Sequence, residues 1–331
     1  MSHATSLPAH RPASAAFVTH DPSFAAVLGA SPQLARVAAV DAHEGPVYAP
    51  DEHALYFTTV PRATAGGGPP TVAIKRLDLD DGRISVLRPD ANVANGMALG
   101  LDGHLVVCEQ GTGARPAALT RVDRFTGRVA TIVDAHGGRR LNSPNDVAVR
   151  SDGTLWFTDP SYGFLQGFRP EPQAGDHVLR YDPRSGRLSV VAASFDKPNG
   201  IAFSPDERVL YVADSGANHE PGSYDPERPH HVKAFDVVDG RRLANERLFA
   251  IVEPGFPDGL KVDSAGRVYA SSASGVQVFD AGGRRIGEIA IPGAVNFTFG
   301  GRDRSVLYIT ADDAIWAAGL AATTPPRPKG A

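Results

Sequence analysis

Six residues with oxygen-bearing side chains recur along the chain, each at the start of a similar short phrase. They are Glu44, Asn95, Asn145, Asn199, Asp258 and Asn296. Side-chain carboxylate and carboxamide oxygens are the groups that bind hard divalent cations, and two carboxylates would balance the charge of one such ion. These six positions are therefore the candidates for chemistry, provided that the fold brings them together.

The unit that follows each of these residues reads as a β-hairpin. After Asn145 the sequence gives an apolar run at residues 147–149, a Ser-Asp-Gly turn, a second apolar run at 155–157 and then Asp159. Antiparallel strands joined by a tight turn bring their far ends together, so Asn145 and Asp159 are expected side by side at one edge of a sheet.

The spacing of the repeat predicts the fold. The leading residues are separated by 38 to 59 positions. A period of about 40 to 50 residues with several short strands is typical of a β-propeller, so six copies predict an all-β, six-bladed propeller. The innermost strands of a propeller surround one axis, which would place the six oxygen-bearing side chains around one central metal site.

The same repeat sets the domain organisation. We predict one propeller over residues 34–320, an N-terminal extension at 1–33 that is either loosely attached or forms a short helix, and a C-terminal tail at 321–331. Residues 34–40 read as a strand with no hairpin partner, and the last blade lacks one strand. The N-terminal strand is therefore expected to close the ring, which removes an exposed sheet edge.

Composition excludes several classes of function. A net charge of −4 over 331 residues provides no basic surface for nucleic acid and no polybasic face for a membrane. No apolar run reaches the length of a membrane span. The single cysteine, Cys108, excludes an internal disulfide and favours a reducing compartment, so we expect a cytoplasmic protein.

Among cations, the ring favours calcium, with magnesium and manganese behind it. Zinc is a weaker alternative because no His or Cys cluster stands at this position of the repeat. The competing interpretation is that Asn-Gly and Asp-Gly merely turn the chain into each inner strand. That would explain Asn95, Asn199 and Asp258 but not Glu44, which is a poor turn residue.

A second group of candidates ends the second strands, namely Glu109, Asp159 and Asp214. Two roles are open for these acids: to orient the inner ring, or to bind substrate hydroxyls. The competing interpretation is that they are acids at the sheet edge that face solvent. Long insertions at 161–176 and 215–230 follow two of them on the same face and are expected to form a lid, with Tyr162 on its apolar side.

Five phrases carry a family resemblance: residues 44–48 (EGPVY), 140–146 (RLNSPND), 156–163 (WFTDPSYG), 198–206 (PNGIAFSPD) and 257–259 (PDG). Together they resemble the regucalcin/gluconolactonase family, particularly its bacterial gluconolactonase branch, over roughly residues 36–318. The resemblance implies a six-bladed propeller that holds one divalent metal, usually calcium, and hydrolyses sugar lactones.

The resemblance also implies roles for individual residues. Glu44, Asn199 and Asp258 fall on the three core metal ligands, Asp258 also being the proton acceptor and donor, and Asn145 falls on a position that binds either metal or substrate. Animal members have a substrate-binding arginine where this chain has Ser143, so their sugar contacts do not transfer whole. We expect Asn145, Asn95, Glu109, Asp159, Tyr162 and Asn296 to contact the sugar lactone.

The expected reaction is ester hydrolysis by water. The metal would polarise the lactone carbonyl, and Asp258 would take the proton of the attacking water. Because coordination makes Asp258 a weaker base, two other versions stay open: the metal acidifies its own bound water, or Asp258 attacks the carbonyl and forms a covalent intermediate. Two other functions remain open: a phosphotriesterase similar to diisopropyl fluorophosphatase, and a propeller that binds calcium or a ligand without catalysis.

Overall fold

Six four-stranded antiparallel sheets form the framework of the protein. The computed structural model describes residues 16–64, 67–220 and 222–326. Each innermost strand contacts the innermost strands of both neighbouring sheets, so the sheets close into a ring. The predicted all-β, six-bladed propeller is therefore confirmed.

The strands of each blade are given from the axis outward. Blade one contains β3 (Val47–Ala49), β4 (Ala54–Thr58), β5 (Ile74–Asp78) and β6 (Ile84–Arg88). Blade two contains β7 (Ala94–Leu99), β8 (Leu105–Glu109), β9 (Ala118–Val122) and β10 (Val129–Val133). A small hairpin, β11 (Ala135–His136) and β12 (Arg139–Arg140), precedes blade three. Blade three contains β13 (Val147–Val149), β14 (Leu155–Asp159), β15 (His177–Asp182) and β16 (Arg187–Ala192).

Blades four to six complete the ring. Blade four contains β17 (Pro198–Phe203), β18 (Val209–Asp214), β19 (His231–Val238) and β20 (Arg242–Ile251). Blade five contains β21 (Leu260–Val262), β22 (Val268–Ser271), β23 (Val276–Phe279) and β24 (Arg285–Ile289). Blade six contains β25 (Asn296–Gly300), β26 (Val306–Thr310), β27 (Asp312–Gly319) and, outermost, β2 (Gln33–Ala42).

The strand that closes blade six comes from the N-terminal side of the chain. β2 pairs antiparallel with β27, with Leu34 opposite Ala318, as the unpaired strand and the short last blade predicted. The hairpin of blade three also has the predicted register, because Val147 lies opposite Phe157 and Val149 opposite Leu155. Alternation of apolar residues fixes the register of the blade-three hairpin, since a slip of one residue would turn each side chain to the other face. The pairing of β2 with β27 was predicted instead from one strand without a partner and one blade short of a strand.

The segment before β2 packs firmly on the ring. Its first strand, β1 (Phe17–Thr19), adds a fifth strand to blade five beside β24. A 3-10 turn (Pro22–Phe24), capped by Asp21, leads into α1 (Ala25–Leu28), and Phe24 is fully buried. The expectation of a loosely attached extension is therefore wrong for residues 16–28, because an apolar side chain of this size holds them to the propeller; residues 1–15 lie outside the described part.

The other end of the propeller chain lies against the same segment. The backbone N–H groups of Ala321 and Ala322 donate to the Val27 carbonyl at 2.9 and 3.1 Å, and the Ser264 N–H donates to the Thr323 carbonyl at 2.7 Å. Residues 321–323 of the predicted tail are thus bound to the N-terminal segment and to blade five. No helix in the described ranges is both long enough and apolar enough to cross a membrane.

Aromatic side chains fill the spaces between blades. Trp156 of blade three is fully buried and meets Phe203 of blade four edge to face, with ring centroids 5.5 Å apart. Tyr269 and Phe299 make the same contact between blades five and six at 5.3 Å. This packing fixes the angle between neighbouring blades, and with it the positions of the inner strand ends that face the axis.

Candidate active site

All six predicted ring residues lie where an innermost strand begins, at one end of the central channel. Asn296 is the first residue of β25, and Asn95 and Asn199 are the second residues of β7 and β17. Glu44, Asn145 and Asp258 stand two to three residues before their strands. Backbone hydrogen bonds join neighbours in the ring, such as Gly96 N–H to the Asn145 carbonyl at 2.7 Å and Gly200 N–H to the Asp258 carbonyl at 3.0 Å.

These bonds explain why glycine follows most ring residues. A Cβ atom at Gly96 would lie 2.5 Å from the Asn145 carbonyl oxygen, and one at Gly200 would lie 2.1 Å from that of Asp258. Neither glycine has a positive φ angle. Asn-Gly is therefore not a turn signal here, because glycine is needed to let the backbone of the next blade approach. The competing interpretation of these dipeptides as simple turns loses its support.

The two carboxylates of the ring, Glu44 and Asp258, lie close together and away from water. Burial raises the pKa of Asp258 to about 7, with a further contribution from the Asp146 charge. Burial, followed by the negative charge of Asp258, raises the pKa of Glu44 well above its usual range. The Asn296 amide donates to Glu44 Oε2 at 2.7 Å and fixes one oxygen of that carboxylate. Two buried carboxylates that lie close together need a positive charge or a proton between them.

Amide oxygens beside these carboxylates lack partners. Asn145 Oδ1 and Asn95 Oδ1 are buried and accept no hydrogen bond from any described residue, and the same holds for one oxygen of Asp146. Unpaired buried acceptors cost free energy and are rare in native proteins. Together with the two carboxylates, they form an oxygen-only set that suits a calcium-like cation.

No group of three or more His, Cys, Asp and Glu side chains suited to a metal occurs within the described residues. The ring does not conflict with this, because two of its four predicted ligands, Asn145 and Asn199, are carboxamides. A site of this kind resembles oxygen-coordinated cation sites more than the His and Cys sites of zinc proteins.

Three predicted substrate-binding residues make their hydrogen bonds within the protein: Asn296, Glu109 and Asp159. The amide nitrogen of Asn296 donates to Glu44, and its Oδ1 accepts the Phe297 N–H at 2.8 Å. Glu109 accepts hydrogen bonds from Arg88, Asn92 and Thr120 at 2.7, 2.9 and 3.0 Å.

Asp159 accepts the backbone N–H groups of Asn142 and Ser143, both at 2.9 Å. Asp214 repeats this pattern one blade later with the N–H groups of Asp196 and Lys197, at 3.1 and 2.9 Å. Of the two roles open for the acids that end the second strands, these contacts favour the orienting one. Each holds the loop that leads, three residues further on, into Asn145 or Asn199.

Tyr162 lies over the ring on the short helix α2 (Tyr162–Leu165). Its hydroxyl is buried near Asn199 and Ser215 and makes no well-aligned hydrogen bond with a described group. Burial raises the pKa of this phenol well above its usual range, so the hydroxyl remains a hydrogen-bond donor. A buried donor without a fixed acceptor fits a contact with substrate.

The two long insertions are tied to the body of the propeller by ion pairs. Lys197 Nζ donates to Asp176 at 2.7 Å, at the end of the first insertion, and Arg228 of the second donates to Asp196 at 2.6 Å. Both partners come from the short connection between blades three and four. Each insertion is therefore anchored near its C-terminal end, where it rejoins the propeller.

Sequence reasoning missed a set of hydroxyls that support the ring from the second strands. Thr158 Oγ1 donates to the Asn199 carbonyl at 2.9 Å and Thr58 Oγ1 to the Asn95 carbonyl at 3.3 Å, each reaching the following blade. Thr310 does the same for the His43 carbonyl at 2.7 Å. The signal was present in the repeat, because each threonine stands at or near the end of a second strand.

Fold and site together define a six-bladed propeller with an oxygen-lined centre at one end of its channel. The family model described as "SMP-30/Gluconolactonase/LRE-like region" matches residues 42–313. The chain therefore belongs to this family, as the motifs predicted.

Similar proteins of known name agree with this assignment. A gluconolactonase of Zymomonas mobilis is 29% identical over 75% of this chain and 69% of its own length. A pentonolactonase of Haloferax volcanii is 28% identical over 81% of this chain and 80% of its own. Among solved structures, a gluconolactonase from Xanthomonas campestris superposes with a TM-score of 0.79 at 32% identity, covering 97% of this chain and 99% of that one.

Proposed function

We propose that this protein hydrolyses sugar lactones at a divalent cation, calcium in the first place, that Glu44, Asn145, Asn199 and Asp258 hold. The observation that carries the proposal is the ring itself: two adjoining buried carboxylates and amide oxygens that no donor in the described part of the chain satisfies. Relatives named gluconolactonase, lactonohydrolase and pentonolactonase support the reaction class.

When bound, such a cation supplies a Lewis acid for the lactone carbonyl oxygen. The chain's own groups then have separate tasks. Asn145 and Tyr162 bind and orient the lactone, the first by its amide and the second by its unpaired hydroxyl. Residues 161–165 cover the ring and limit the access of bulk water, which strengthens each polar contact within it.

Asp258 is the group that holds and moves the proton. Its carboxylate takes a proton from the attacking water and returns it to the ring oxygen of the lactone as the ester bond breaks. A pKa of about 7 without a cation shows how strongly burial opposes its charge. Coordination would lower that pKa, so its value with substrate bound balances the two effects.

The test is hydrolysis of an aldonolactone panel by calcium-loaded protein, by chelator-treated protein and by two variants. Asp258→Asn keeps an oxygen ligand but loses the proton acceptor, and it should abolish turnover at saturating calcium. Asn145→Ala should lower the rate on the order of 100-fold through lost positioning, with a smaller change in calcium affinity. Near-normal turnover in Asp258→Asn would refute the proton-transfer role. An organophosphate ester hydrolysed in preference to every lactone would refute the substrate class.

A further inference from the structure

We infer that a second polar pocket beside the ring binds a sugar unit attached to the lactone, so that the preferred substrate is the lactone of an oxidised disaccharide. The inference rests on the proposed lactonase function and specifies its substrate. The pocket has a volume of about 230 Å³. Three segments form it: residues 112–116, residues 140–143, and residues 161–173 with α2 at their start.

The pocket lies within reach of the ring. Its floor includes Asn142, and Asn145 follows three residues later, so at most about 11 Å of chain separates them. Its wall includes Ser161, which directly precedes Tyr162. A substrate whose lactone lies at Asn145 and Tyr162 would therefore place the next sugar unit of its chain in this pocket.

The polar groups of the pocket are arranged for hydroxyls. Asn142 is 5% exposed. Its amide nitrogen donates to the carbonyls of Asp159, Ala174 and Gly175. Its Oδ1 has no partner among the described residues. An acceptor left open in this way requires a donor from a ligand or from water. A sugar hydroxyl supplies that donor and can also accept a hydrogen bond.

Two of the three arginines that line the pocket are paired with carboxylates. Arg115 pairs with both carboxylate oxygens of Asp90 at 2.7 and 2.8 Å, and Arg140 pairs with Asp134 at 2.8 Å. Glu171 adds a further negative charge to the lining. These two pairs and Glu171 oppose the binding of an anion, and the guanidinium groups of Arg115 and Arg140 keep N–H donors for neutral oxygen atoms.

An aromatic ring and a rigid frame complete the pocket. Phe164 is 45% exposed and lines it, which provides an apolar surface for the C–H face of a sugar ring. Arg169 donates to the carbonyls of Thr112, Leu141 and Asn142 at 2.9, 3.0 and 3.1 Å, and so joins all three segments. A pocket held together in this way is formed before the ligand arrives, which reduces the entropic cost of binding.

The experiment compares kcat/KM for a disaccharide-derived lactone, such as lactobionolactone, with that for gluconolactone. Arg140→Met and Phe164→Ala should each lower the ratio of the two values by about 10-fold, since each removes one contact to the outer sugar. Arg139→Met and Phe125→Ala are matched controls. Arg139 is the exposed neighbour of Arg140 and lies outside the pocket lining, and Phe125 is 63% exposed in the turn between β9 and β10.

The expected result is a wild-type ratio above one that falls in the two pocket variants and not in the controls. An equal ratio in wild type and pocket variants would overturn the inference while leaving the lactonase function intact. If neither lactone is hydrolysed, the proposed function is wrong, and calorimetry with lactobionate against gluconate still decides the matter. Tighter binding of lactobionate that depends on Arg140 and Phe164 supports the pocket, and equal binding of the two acids refutes it.

Discussion

Calcium binding at the proposed site should depend on pH between 6 and 8, because one proposed ligand, the Asp258 carboxylate, titrates within this range. Burial raises the pKa of Asp258 to about 7 in the cation-free protein, and that of Glu44 is raised as well. A metal ligand must be deprotonated, so the cation displaces these protons when it binds.

The size of the effect follows from the Asp258 pKa. A single group of pKa about 7 weakens apparent affinity by about 11-fold at pH 6 and by about 1.1-fold at pH 8, so Kd should rise about 10-fold, or ~1.4 kcal/mol, between pH 8 and pH 6. Any proton on Glu44 increases this ratio. The sign is fixed: affinity is lost as pH falls through 7, because the protonated form competes with the cation.

Isothermal titration calorimetry at pH 6, 7 and 8, in pairs of buffers with different ionisation enthalpies, measures both Kd and proton release. We expect about one proton released per calcium at pH 6 and very few at pH 8. Asp159→Asn is the comparison variant, because burial also raises the pKa of Asp159 to about 7. Its carboxylate accepts two backbone N–H groups of the loop that leads into Asn145, so this variant should lower calcium affinity at every pH but keep its pH dependence. A Kd that is constant over this range with no proton release would refute the reasoning. Loss of the pH dependence of Kd in Asp159→Asn would refute it as well.

Three further predictions concern the frame of the ring. Gly200→Ala should destabilise the protein by about 1–3 kcal/mol in urea denaturation and weaken calcium binding, since its Cβ would displace the Asp258 carbonyl; an unchanged midpoint would show that the blades can separate without cost. Thr158→Val leaves the Asn199 carbonyl without its hydroxyl donor, so we expect a loss of about 1–2 kcal/mol and a measurable rise in calcium Kd, and contradiction would come from wild-type affinity. Phe24→Ala should cost about 3–5 kcal/mol without changing calcium Kd, and a stability equal to wild type would mean that the N-terminal segment contributes nothing.

Much of the fold could be predicted because its information is local and repeated. Alternating apolar residues fixed the hairpin in which Val147 lies opposite Phe157, and one surplus strand matched one missing strand, which predicted the pairing of β2 with β27. Short strands that pair with distant edges carry no such signal. β1 has three residues and joins blade five only because β24 leaves an edge free, a fact that depends on the assembled ring.

The candidate site, like the fold, could be predicted from the sequence only in part. The repeat revealed the six residues that begin its phrases, but not Asp146, whose charge adds to the effect of burial on the pKa of Asp258. It assigned Asn296 and Asp159 to substrate, whereas their contacts are with Glu44 and with backbone N–H groups, since sequence order does not say which neighbour takes up an oxygen atom. The open oxygens of Asn95 and Asn145 are likewise visible only when all partners are in place.

The supporting contacts of the ring cross from one blade to the next, and this links the site to ring closure. Thr158 of blade three holds the Asn199 carbonyl of blade four, and Thr310 of blade six holds the carbonyl of His43, immediately before Glu44. Glu44 is thus positioned by the junction that β2 closes. A cation that binds Glu44 together with Asp258 would bridge the same junction from inside, so ring closure and cation binding should be thermodynamically coupled. Loss of either should therefore weaken the other.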